Sequence, residues 1–181
     1  KYLVLFHQKK FIQIISGFYD LLNAFPQLFN IYGEQLIDLL SISAQELQVE
    51  IQNQSSKDIN YIDLNEEEED EDDDDDVLTM FVDLFDLSEF IFRIDQTNIS
   101  HKMIEFVFQM IVFSQHWFSD FELRKSLLLL ILRLSTICPD LIIKIIQSNV
   151  KIKDMILFGL NSQNLNPISQ QIINVFGYDS F

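Results

Sequence analysis

Cysteine, proline and glycine are nearly absent from this sequence. Its single cysteine, Cys138, excludes an internal disulfide and fits a reducing compartment. Three prolines and four glycines in 181 residues exclude a collagenous chain and leave too few turn residues for a β sandwich. Basic residues are scarce too: 12 Lys and Arg stand against 28 Asp and Glu, a formal charge of −16. No Lys/Arg cluster exists to displace counterions from phosphate, which argues against duplex binding. Long apolar runs are also missing. The most apolar window, Leu127 to Leu132, lies between Lys125 and Arg133, far short of the ~20 residues a membrane-spanning helix needs. The chain opens on Lys1 rather than Met, inside what reads as amphipathic helix and without a signal-peptide pattern. We therefore expect a piece of a longer polypeptide, intracellular, in the cytoplasm or nucleus.

What is present is apolar bulk and acid. Hydrophobic residues make up 48% of the chain, enough for a sizeable core at this length. Eleven of the acids form one run, Glu66 to Asp76; removing their eleven charges from −16 leaves a body at only −5. Adjacent like charges repel and have nothing to bury, so the run is expected to be a disordered loop.

Apolar residues recur at helical spacing along most of the chain. Leu3, Phe6, Phe11, Ile14, Ile15, Phe18, Leu22 and Phe25 form one stripe, ended by Phe25-Pro26. Leu28, Phe29, Tyr32, Leu36, Leu39 and Leu40 form the next. Ser43-Ala-Gln-Glu46 reads as a capping box that starts a new short helix at Ala44. Helical spacing resumes at Val77 with Phe81, Leu84, Leu87, Ile91 and Ile94. A helix over 101–117 carries one narrow polar stripe, Lys102, Glu105 and Gln109, and is otherwise apolar. Ser119-Asp-Phe-Glu122 is a second capping box, opening a helix that runs to Ile137. Helices are then predicted over 139–147, 151–160 and 167–177, the last with Asn166 as cap and Pro167 at the first helical position. No stretch alternates with period two, so the chain reads as all-α. Three regions follow: an N-terminal helical block over 1–53, an acidic linker over 54–76, and a second helical block over 77–181.

The segment Cys138-Pro-Asp-Leu-Ile-Ile-Lys-Ile-Ile-Gln-Ser-Asn-Val-Lys-Ile-Lys-Asp-Met-Ile-Leu-Phe-Gly-Leu, with Asn166-Pro-Ile-Ser-Gln-Gln-Ile-Ile-Asn-Val-Phe, resembles an armadillo repeat. Its short first helix, second helix and third helix would be 139–147, 151–161 and 167–177, with Asn149 where the family usually has a turn glycine. Arg124 to Ile137 resembles the third helix of a preceding unit, and the rest is closer to the looser HEAT type. The resemblance implies an α-solenoid in which each unit buries its face against its neighbours. It also implies a concave surface that binds proteins or extended peptides.

No constellation of catalytic residues stands out. His116, Ser119 and Asp120 have the residue types of a hydrolytic triad, but Ser119 is already read as a helix cap. His7 and His101 lack partners at metal-ligand spacing, a lone cysteine cannot build a zinc site, and there is no Gly-rich phosphate loop. Cys138 reads as packing, and Lys144, Lys151 and Lys153 as a solvated face. The acidic run lacks the spaced ligands and central glycine of a calcium loop. It reads first as solvated linker and second as a polyanion that attracts a basic protein.

The expected function is a non-catalytic scaffold that binds a protein or peptide partner, basic partners being favoured by charge, without cofactor or metal. The expected surface is the polar edge of 101–117, 120–137 and 167–177, represented by Glu105, Gln109 and Gln171. The alternatives are a structural flank of a large enzyme such as a ubiquitin protease, or a piece of a nuclear transport receptor. Removing Glu66 to Asp76 should shift the melting temperature by only a few degrees if the run touches no core.

Overall fold

A computed structural model describes residues 13–15, 17–22, 24–58, 72–94 and 101–181. Every regular element among them is helical. Helix α1 is seen at 13–15, 17–22 and 24. It is followed by α2 (Leu28–Asp58), α3 (Asp72–Ile94), α4 (His101–Phe113), α5 (Phe121–Ile137), α6 (Pro139–Ser148), α7 (Val150–Gly159) and α8 (Asn166–Phe176). Short 3₁₀ turns occupy Ser114–Trp117 and Tyr178–Ser180. The chain divides into two compact units, Lys1–Asp83 and Leu84–Phe181, so the boundary falls within α3.

In the first unit α1 stops where proline dictates, with Phe25 non-helical and 52% exposed rather than part of the buried stripe. The box at Ser43 does not start a helix: α2 runs unbroken through 43–46. A capping serine must leave helical geometry, whereas continuing the helix adds a hydrogen bond for each residue fixed. The buried stripe of α2 is also rotated from the expected one. Phe29, Gly33, Ile37 and Leu40 are buried, while Tyr32 and Leu39 are exposed. Within the buried stripe the Phe29 ring lies against Gly33, where a Cβ would meet it at 3.1 Å. Of the acidic run, only 72–76 lies among the described residues, and its backbone is the first turn of α3 rather than loop. Aspartates are favourable at a helix N-terminus, where the backbone dipole is positive. The remainder of the run and the expected helix over 3–12 lie outside the described residues.

The second unit is built around α5. Helix α8 packs on both α5 and α7, and α6 packs on α5 and α7. The core draws Leu123, Leu127, Leu130, Ile131 and Leu134 from α5, and Ile142 and Ile146 from α6. Ile152 and Ile156 of α7 and Ile172 and Ile173 of α8 complete it. Each fully buried aliphatic side chain contributes roughly 1.5–3 kcal/mol. Within this unit Arg133 Nε and Nη2 both donate to Glu89 Oε1, at 3.2 and 3.1 Å, tying α5 to the C-terminal half of α3. Buried Ser88, Ser114 and Ser135 donate back to carbonyls three or four residues earlier. Ser169 Oγ is buried with no partner. Gly177 takes φ +81°, a left-handed value that costs glycine least, and its N–H closes α8 on Ile173 O at 2.7 Å.

Two expected caps, Ser119 and Asn166, are replaced, and the turn residue Asn149 acts as a cap. The N-cap of α5 is Asp120, not Ser119: its carboxylate accepts from Leu123 N at 2.9 Å. Asp120→Ala should therefore cost about 0.5–2 kcal/mol in denaturant unfolding, and Ser119→Ala should leave the midpoint unchanged. Asn149 caps α7 by accepting from Ile152 N, at φ −125° rather than in the left-handed region a turn glycine would use. Asn166 is already helical and spends its amide on Leu160 O at 2.6 Å, so it does not cap α8.

Candidate functional site

Helix α4 presents the polar stripe that its sequence promises. Lys102, Glu105 and Gln109 are exposed, while Met103, Phe106, Val107, Met110 and Ile111 face inward. Glu105 Oε1 lies 3.2 Å from His101 Nδ1, one turn back. Glu105 and Gln109 are thus neighbours on one exposed face. Gln171 is exposed on α8, beside a bond from Gln170 Nε2 to Asn174 Oδ1 at 3.1 Å. The structure therefore joins the first two expected residues on one helix and places the third on another.

The other candidates do not assemble. His116 is exposed and meets Trp117 edge-on at 6.0 Å, with no hydrogen bond to Ser119 or Asp120. Asp120 is engaged with Leu123 N, and the Ser119 carbonyl accepts from Arg124 Nη2 at 2.7 Å. Cys138 is half-buried, and burial pushes its thiol above the usual value, away from thiolate chemistry. Its alkylation by iodoacetamide at neutral pH should be slower than that of a free cysteine, and a faster rate would mark an activated thiol. Among the described residues no group of three or more His, Cys, Asp or Glu could hold a metal. Among the same residues no helix is long and apolar enough to cross a membrane.

A feature the sequence reading passed over lies between the start of α5 and α7. Phe118, Ser119 and Arg124 face Lys151, Asp154, Met155 and Phe158 across a surface cavity of about 400 Å³. Arg124 is fixed there by its own backbone: Nε donates to Asp120 O at 3.0 Å and Nη2 to Ser119 O. Its guanidinium sits 4.5 Å from the centre of the Phe158 ring. Phe158 is 55% exposed, so this cation–π contact forms at the surface. The available signal was an aromatic on the polar side of α7: residues 151, 154, 155 and 158 share one helical face.

Compared with known proteins, the chain matches no family model, no curated protein and no solved structure.

Proposed function

We propose that this chain is a non-catalytic α-solenoid module of the armadillo/HEAT type that binds another protein along its exposed polar helix edges. The observation that carries the reading is α8, which packs on α7 of its own three-helix unit and on α5 before it. With α5 and α8 read as third helices of successive units, their packing supports a stack of one repeat on the next. Helices committed to neighbours on their apolar faces leave polar side chains to meet a partner, and the exposure of Glu105, Gln109 and Gln171 supports that role for them. The Glu105 carboxylate favours a basic partner on this edge.

The test is binding of a lysine-rich extended peptide, followed by fluorescence anisotropy at rising salt. Affinity should fall as salt rises, and Glu105→Ala with Gln109→Ala should weaken it about fivefold while the melting temperature holds. Unchanged affinity in the double variant would remove this face from the binding surface. The chain would then be architecture for a larger protein.

A further inference from the structure

The cavity between α5 and α7 goes beyond that reading and does not depend on it. Its walls combine two chemistries. Phe118, Met155 and Phe158 are apolar, with Met155 buried at the floor. Arg124, Lys151 and Asp154 are charged, two cations against one carboxylate. Arg124 spends Nε and Nη2 on backbone carbonyls, which orients the guanidinium and leaves Nη1 to donate elsewhere. Lys151 is exposed and makes no ion pair among the described residues, so no carboxylate there competes for its ammonium.

We propose that this cavity binds the C-terminal residue of a peptide, with the terminal carboxylate on Lys151 and Arg124 and an apolar side chain against Phe118, Met155 and Phe158. The cavity's volume suits one large apolar side chain with its terminal carboxylate, and it falls at the small end of the ~300–1,000 Å³ seen for ligand pockets. Asp154, one turn along from Lys151, supplies the third requirement. A carboxylate beside a bound anion is unfavourable unless it accepts a hydrogen bond from the ligand, and a peptide carries backbone N–H groups beside its terminus. A small apolar acid has none. The rim residues Ser119, Lys151, Asp154 and Phe158 are exposed, so the preceding peptide residues can leave through the open side.

The test titrates the intact chain with acetyl-Ala-Ala-Leu-Leu bearing a free carboxylate, its C-terminal amide, and 3-phenylpropionate, read on the Met155 methyl and the Lys151 and Phe158 amides. The free-carboxylate peptide should produce saturable shifts at these three positions. Its amide should bind at least tenfold more weakly, and 3-phenylpropionate more weakly than the peptide. Lys151→Gln and Phe158→Ala, both at exposed positions, should each weaken the peptide about tenfold without changing the melting temperature. Absence of shifts at these positions, equal binding of acid and amide, or 3-phenylpropionate binding as tightly as the peptide would each overturn the proposal.

Discussion

Replacing Gly159 with alanine is expected to destabilise the second unit by about 1–2 kcal/mol, although alanine is the better helix former. A Cβ at this position would overlap Ser169 Oγ and would lie 3.2 Å from Ser169 Cβ and 3.4 Å from Leu128 Cδ1. Ser169 and Leu128 are fully buried, so any shift that relieves the overlap must be taken up inside the core. Overpacking of this kind costs about 1–3 kcal/mol. The propensity gain is at most about 1 kcal/mol and is smaller here, at the last residue of α7. Thermal unfolding should show a fall of roughly 4–8 °C per kcal/mol lost. Ser169→Ala provides the control. Its hydroxyl is buried without a partner, so removing it should stabilise by about 1 kcal/mol and should relieve most of the Gly159→Ala cost in the double variant. A Gly159→Ala protein as stable as its parent would mean that α7 and α8 do not approach each other this closely.

Leu128→Ala should have the largest effect of any substitution considered, about 2–5 kcal/mol, from lost burial and the cavity left behind. Leu128 is fully buried and reaches the same junction of α5, α7 and α8. Its neighbour Leu129 is 37% exposed, and Leu129→Ala should cost under about 1 kcal/mol. Urea midpoints of the two variants check this directly, since the pair differ by one position in a run of like residues. Equal losses would place α5 in a different rotation.

That pair also shows where sequence stops being informative. The helices from α4 to α8 were legible to within a few residues, because Pro139, Asn149, Pro167 and Gly177 punctuate stripes of clear helical period. Rotation was harder. Six consecutive apolar residues at 127–132 do not reveal which one faces out, and in α2 the buried stripe includes Gly33, invisible to apolar counting. Capping boxes misled twice. Ser43 lies in a helix that simply continues, and Ser119 has Asp120 beside it, an equally good cap one position nearer the helix. The exposed polar stripe of α4 was readable from its own spacing. The cavity was not, because its two walls lie about 30 residues apart. Only the fold brings Arg124 over Phe158, turning an apparent core aromatic and an apparent solvated lysine into parts of one surface.

The central claim is that exposed polar helix edges of an α-solenoid module bind a protein partner. Backbone amide shifts of the labelled chain, recorded during titration with the lysine-rich peptide, test it most directly. The account predicts saturable changes centred on Glu105, Gln109 and Gln171, weakening with salt, while the amides of Leu127 to Ile131 in the core stay fixed. Saturable binding that leaves those three residues unmoved, or no binding at any salt concentration, would contradict it.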